Sequence, residues 1–142
     1  MRALLDVNVL IALFDADHVS HHATLQWFGN HANDGWASCP ITQNGCLRIM
    51  SHPAYPNSYP VHAISERLHG ATSASVHEFW PDSVSILNEQ LIDTTRVHGA
   101  RPLTDVYLLA LAVHRGGYLV TFDRSIAMDA VLGATASHLL VL

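Results

Sequence analysis

Short apolar runs alternate with helix-like segments along the chain, and this alternation is the feature that most constrains the fold. The clearest run is Tyr-Leu-Val-Thr-Phe at 118–122, and other strand-like runs lie at 3–5, 36–41, 77–81 and 138–142. Because most of these runs are apolar throughout, both faces of the predicted sheet are expected to be buried. The pattern predicts an α/β fold, a three-layer α/β/α sandwich with a mostly parallel central sheet.

The segments between the strands carry helix signals. The predicted helices span 8–14, 20–31, 43–50, 61–68, 84–91, 104–115 and 123–132. Asn8, Thr104 and Asp123 stand where side chains cap helix N-termini. The segment 52–60 contains three prolines and is expected to form a loop. Since the 142 residues contain no repeat or low-complexity tract, we expect a single domain over residues 1–142.

The charge composition excludes several kinds of protein. All seven basic residues are arginine, and with 12 acidic residues the net charge is −5. The absence of lysine excludes Schiff-base and P-loop lysine chemistry, and the negative charge argues against a general attraction for nucleic acid. Two cysteines, Cys39 and Cys46, are too few for a disulfide framework, and their spacing matches no zinc site. With no secretion signal and no run long enough to cross a membrane, the sequence predicts a cytoplasmic protein.

Three aspartates fall at equivalent places in the predicted fold. Asp6 and Asp123 each follow a strand, and Asp105 lies in the first turn of a helix. Each alone could simply cap a helix. In a parallel sheet, however, strand ends and the following helix starts share one edge, so the three carboxylates would meet and raise one another's pKa. A divalent cation such as Mg²⁺ resolves this repulsion, and such a site can activate water against a phosphodiester.

Four motifs, in order along the chain, resemble those of a known family. They are Leu-Leu-Asp-Val-Asn-Val-Leu at 4–10, the helix start at 40–49, Leu-Thr-Asp at 103–105, and Leu-Val-Thr-Phe-Asp-Arg at 119–124. Together they resemble the PIN-domain ribonucleases, and most of all the VapC toxins of bacterial toxin–antitoxin pairs. The resemblance extends over essentially the whole chain.

The resemblance implies an endoribonuclease toxin that depends on Mg²⁺ or Mn²⁺. Asp6, Asp105 and Asp123 would be the metal-binding carboxylates, and Asn8 and Thr121 would be the polar residues that steady them. It also implies a homodimer, bound by a small antitoxin whose C-terminal tail blocks the site. Because this chain is acidic, we expect that tail to be basic.

One position departs from the family pattern. The family's second acid, normally a glutamate after the threonine, is assigned to Gln43. A glutamine can offer a carbonyl oxygen or orient a metal-bound water, but the acid set then carries −3 instead of −4. One hypothesis is therefore a single firmly bound metal, with a second arriving only with substrate phosphate. The other is that Gln43 merely caps its helix.

Further candidates for RNA contact are arginines and tryptophans. Arg48 and Arg124 could contact phosphate, although an intramolecular salt bridge is favoured for Arg48. Trp27, Trp36 and Trp80 could stack on bases, but packing in the core or an interface is favoured for them. Two other functions stay open: a weakly active binding module that works mainly in an antitoxin complex, and a phosphoesterase acting on DNA flaps or small phosphates.

Overall fold

A computed structural model describes residues 1–142 and shows a five-stranded sheet with helices on both faces. The strand order is β3-β2-β1-β4-β5, and every neighbouring pair is parallel. The strands are β1 (Ala3–Leu5), β2 (Trp36–Ser38), β3 (His77–Phe79), β4 (Tyr118–Thr121) and β5 (Leu139–Val141). The helices are α1 (Val7–Phe14), α2 (His21–His31), α3 (Pro40–Met50), α4 (Val61–Thr72) and α5 (Leu103–His114). The predicted three-layer α/β/α fold is confirmed, and its sheet is entirely parallel.

The sheet separates two hydrophobic clusters. Leu4 and Leu119 point into the cluster that contains α5, whereas their neighbours Leu5 and Val120 point into the cluster that contains α1 and α3. Successive side chains of a strand face opposite sides of the sheet, so an apolar run in β1 or β4 contributes to both clusters. Burial of both faces is the reason why these strands are apolar throughout.

Helix α5 is apolar around almost its whole circumference. Every residue from Val106 to Ala112 is buried, because the sheet covers one side of the helix and an irregular segment covers the other. Ile92 and Val131 of that segment pair through an isolated antiparallel bridge and pack in the same cluster. A helix covered on all sides needs no polar face. No helix in the structure is both long enough and apolar enough to cross a membrane.

Two predicted helices are absent. The chain forms turns over 84–91, where Ser85 Oγ and Asn88 Oδ1 accept hydrogen bonds from the backbone two residues ahead. Over 123–132 it forms a turn at Asp123 and a short 3₁₀ segment at Met128–Ala130. In both places short polar side chains bind the local backbone groups that a helix would have used. Most of the apolar residues that suggested helices, among them Val84 and Ile126, instead pack in the cluster that contains α5.

Helix starts also differ from the sequence prediction. Helix α1 begins at Val7 and is capped by Asp6, not by Asn8. Helix α3 begins at Pro40, because proline is well suited to the first turn of a helix, and it shortens the strand predicted over 36–41 to Trp36–Ser38. Thr104 lies inside the first turn of α5 and makes no cap. The loop predicted over 52–60 contains neither helix nor strand.

Candidate metal centre

A cleft of about 870 Å³ opens where β1 and β4 end, beside the first turn of α5. Four of the predicted site residues line it: Asp6, Asn8, Asp105 and Asp123. Leu5 and Val120 are register partners, so the residues that follow β1 and complete β4 are neighbours in space. The parallel register thus brings carboxylates that are far apart in the sequence to one edge of the sheet.

Asp6 has two hydrogen-bond donors that fix its carboxyl group. Its Oδ1 accepts from the backbone N of Val7 at 2.7 Å, and its Oδ2 accepts from Thr121 Oγ1 at 2.8 Å. The residue is only 6% exposed. Burial raises its pKa, the two hydrogen bonds oppose this, and the charge of Asp123 adds to the rise. The side chain of Asp6 therefore both caps α1 and lines the cleft.

Thr121, the last residue of β4, connects two of the acids. Its buried hydroxyl donates to Asp6 and accepts a hydrogen bond from the backbone N of Asp123 at 3.1 Å. The Thr121 hydroxyl thus fixes both the carboxylate of Asp6 and the backbone of Asp123.

Asp105 is the acid whose protonation is most altered by the site. Burial, the charge of Asp6 and a hydrogen bond shared with Asp123 raise its pKa to about 7. Asp123 behaves oppositely, because hydrogen bonds from Ser125 Oγ and N, at 2.6 and 2.7 Å, lower its pKa. Without metal, Asp105 is therefore the carboxyl group of this pair that carries a proton, and it does so below about pH 7.

The cations near these acids are few. Arg101 lowers the pKa of both Asp105 and Asp123, but no arginine or histidine forms an ion pair with Asp6, Asp105 or Asp123. The donor set is thus made of oxygen atoms with an excess of negative charge, as hard divalent cations require. No three His, Cys, Asp or Glu side chains are placed to hold one ion together. This fits Mg²⁺ or Mn²⁺, since Mg²⁺ binds through one or two carboxylates and retains several waters.

Gln43, the residue assigned to the family's second acid, does not line the cleft, and since α3 begins at Pro40 it does not cap that helix either. Its Nε2 donates to Ser38 Oγ at 2.9 Å, and Ser38 in turn shares a hydrogen bond with His77 Nε2. The α3 residues that line the cleft are Ile41, Gly45, Arg48 and Ile49. A helix exposes residues three or four positions apart on one face, and Gln43 lies on a different face from these. The residues that α3 contributes to the wall of the cleft therefore include no acid and no amide.

Four arginines have partners outside the cleft: Arg2 and Arg96 form ion pairs, and Arg67 and Arg115 donate hydrogen bonds. Arg48, Arg101 and Arg124 have no carboxylate partner, so the salt bridge favoured for Arg48 is not formed. Arg48 and Arg101 line the cleft, and Arg124 does not. The unpaired positive charge at the site thus comes from two arginines.

Other residues of the cleft wall were not predicted from the sequence. His98, Arg101 and Thr104 line it on the α5 side, and Ser125 lines it beside Asp123. The available signal was their nearness in sequence to Asp105 and Asp123, since side chains flanking a helix start or a strand end reach the same edge. Trp36 and Trp80 do not face the cleft. Both are buried in the core, which is the role that the sequence favoured for them.

The chain matches one protein-family model and is similar to several proteins that have been named. The model of the PIN domain matches residues 3–132, a range that contains all three cleft aspartates. Ribonuclease VapC44 of Mycobacterium tuberculosis is 52% identical over 142 residues, covering all of both chains. Ribonuclease VapC39 of the same species is 44% identical over 135 residues, covering 94% of this chain and 96% of the relative. Ribonuclease VapC38 is 37% identical over 125 residues, or 87% and 86% of the two chains.

Proposed function

The chain belongs to the PIN-domain family, and from that premise we propose that it is a metal-dependent endoribonuclease toxin of the VapC kind. The observation that carries the proposal is the convergence of Asp6, Asp105 and Asp123 on one cleft whose walls carry only two arginines. Its relatives that are named ribonucleases support RNA as the substrate.

Of the three aspartates, one or two would bind Mg²⁺ or Mn²⁺ directly in the cleft, and water would complete the coordination. When bound, such an ion lowers the pKa of water, so that water can attack the phosphodiester, and offsets the charge that develops on the phosphate. Thr121 orients Asp6 through its hydroxyl, and Arg48 and Arg101 supply the positive charge that a phosphate needs to enter an acidic cleft. Asp105 must lose its proton before it can serve as a ligand.

We also propose the partners that accompany this activity in toxin–antitoxin pairs. The net charge of −5 and the acidic cleft favour an antitoxin whose basic C-terminal tail enters the site and competes with metal and RNA. A homodimer is proposed on the family resemblance alone.

The test is cleavage by the purified chain after removal of metal with a chelator. A single-stranded RNA and the DNA of the same sequence are incubated with and without added Mn²⁺. We expect cleavage of the RNA in the presence of metal only. RNA that stays intact at every metal concentration would instead favour the antitoxin-binding module, and preferred hydrolysis of DNA flaps or small phosphate esters would favour the other phosphoesterase.

Removing the hydroxyl of Thr121 is expected to damage both stability and activity. In Thr121→Val, Asp6 Oδ2 and the backbone N of Asp123 lose their partner. An unsatisfied buried polar group costs about 1–3 kcal/mol of unfolding free energy, and loss of a group that orients a metal ligand costs about 10–100-fold in activity. Urea denaturation and RNA cleavage measure the two effects. Thr121→Ser retains the hydroxyl and should restore most of both, and a valine variant as active as the wild type would contradict this role.

Adding a charge at Gln43 is expected to change little. In Gln43→Glu the new carboxylate stays on the face that contacts Ser38, away from the cleft. Mn²⁺ affinity and RNA cleavage should remain within about twofold of the wild type, because the side chain at position 43 contacts Ser38 and does not line the cleft that contains the acids. A clear gain in Mn²⁺ affinity, measured by calorimetry, would return position 43 to the metal site.

A further inference from the structure

A second, smaller groove of about 280 Å³ lies beside the acidic cleft. It is lined by Arg48, Ile49, His52, Ala54, Tyr55 and Pro56. Arg48 and Ile49 also line the cleft, so the two depressions share one wall. A strand of nucleic acid whose phosphate lies at the acids can therefore continue past the end of α3 into this groove.

Arg48 stands at the junction of the two depressions. It is exposed, in the last turns of α3, and no carboxylate forms an ion pair with it. An exposed guanidinium without an acidic partner is free to form a bidentate contact with a phosphate. The same charge disfavours a basic peptide in the groove.

His52 supplies a hydrogen-bond donor on the loop side. Its Nδ1 accepts a hydrogen bond from the backbone N of Ala54 at 3.0 Å, which places the proton of the neutral ring on Nε2. Tautomers are assigned from such hydrogen-bond partners. The Nε2–H has no partner within the protein and is available to a phosphate or a base edge.

Tyr55 holds this wall in place before any ligand binds. Its hydroxyl donates to Oδ2 of Asp15, a buried residue that ends α1. The backbone N of Tyr55 also donates to the carbonyl of His52 at 2.9 Å, and that of Tyr59 to the carbonyl of Met50 at 2.9 Å. The proline-containing loop is thus fastened at several points, and less ordering is needed when a ligand binds.

We infer that the groove formed by Arg48, His52 and Tyr55 is a binding subsite for the nucleotide next to the cleaved phosphodiester of single-stranded RNA. Arg48 contacts a phosphate, His52 donates from Nε2, and the base packs against Tyr55 and Pro56. Unpaired bases pack on aromatic side chains in this way, whereas paired bases are not available to do so. The inference rests on the proposed function and extends it to the choice of substrate.

The test compares substrate binding by Arg48→Gln and His52→Ala with that by matched controls. Arg115→Gln removes an exposed arginine and His22→Ala an exposed histidine, and both residues lie outside the two depressions. Steady-state cleavage of a single-stranded RNA of about eight nucleotides is measured in Mn²⁺. We expect Arg48→Gln to raise KM about tenfold with a much smaller change in kcat, and to reduce the slope of log affinity against log salt by about one. His52→Ala should raise KM by about threefold.

The outcomes separate the subsite from the activity. If the wild type cuts RNA and both groove variants have the KM of their controls, the subsite is refuted while the proposed function stands. If the wild type cuts no RNA, fluorescence anisotropy of the same RNA decides. Weaker binding by the groove variants than by the controls then supports the subsite, and equal binding overturns it.

Discussion

Replacing Asp105 with asparagine is expected to lower RNA cleavage by at least about a hundredfold, the upper range for residues that only support a metal ligand. Asparagine keeps the size of the side chain and can still donate to Asp123, so the cleft should keep its shape. What is lost is the negative charge in the first turn of α5 that a divalent cation requires. Initial rates of cleavage at saturating Mn²⁺ measure the effect.

The matched control is Asp17→Asn, which removes an exposed carboxylate outside the cleft. It should cleave RNA at the rate of the wild type. Near-normal cleavage by Asp105→Asn would show that Asp105 only stabilises the start of α5, the structural role open to any aspartate at that position.

The same substitution is expected to stabilise the metal-free protein at alkaline pH. The pKa of Asp105 is raised to about 7 in the folded chain, above the value of about 3.9 for an unfolded aspartate. The folded state therefore retains a proton that the unfolded state has lost, and stability falls as pH rises from about 4 to about 7. Because Asp105 is half-buried and partly screened by solvent, we estimate the penalty above about pH 7 as roughly 1–2 kcal/mol.

Urea denaturation in the presence of a chelator measures this effect. Asp105→Asn should be more stable than the wild type by roughly 1–2 kcal/mol at about pH 8, and the difference should vanish below about pH 4. Saturating Mn²⁺ should reverse the order, because metal that binds only the folded wild type stabilises it. If the variant were less stable than the wild type at about pH 8 without metal, the ionised Asp105 carboxylate would not destabilise the folded state, and this prediction would be contradicted.

Much of the fold follows from the hydrophobic pattern of the sequence. A strand such as Tyr118–Thr121 is apolar on both faces only when helices cover both, so the layered arrangement could be predicted. The segments 84–91 and 123–132 were predicted wrongly as helices, because their apolar residues suit any element that covers α5. What decides between helix and turn there is the local hydrogen bonding of Ser85, Asn88 and Asp123.

The candidate site, too, could be predicted from the sequence only in part. Asp6, Asp105 and Asp123 could be brought together from sequence because strand ends and helix starts in a parallel sheet share one edge. Gln43 could not be placed, since a shift in the start of α3 from 43 to Pro40 leaves open which helix face meets the cleft. Arg101 was missed because only the packing of the fold brings its charge near the acids.

The initial difficulty of an acidic, lysine-free chain that acts on RNA is resolved by where its charges lie. Part of the negative charge is gathered at the three cleft aspartates, and the two cleft arginines form no ion pair within the protein. Attraction for RNA should therefore depend on bound metal and on Arg48 and Arg101, with little contribution from the rest of the surface.

Mn²⁺ binding by calorimetry tests most directly whether the three acids form a metal site. Metal-free wild type and Asp105→Asn are titrated near pH 6.5, below the pKa of Asp105, in two buffers of different ionisation enthalpy. We expect the wild type to bind Mn²⁺ with release of a substantial fraction of a proton, and the variant to bind at least about tenfold more weakly without that release. Equal affinity of the two proteins, with no proton released by either, would contradict a metal site at these aspartates.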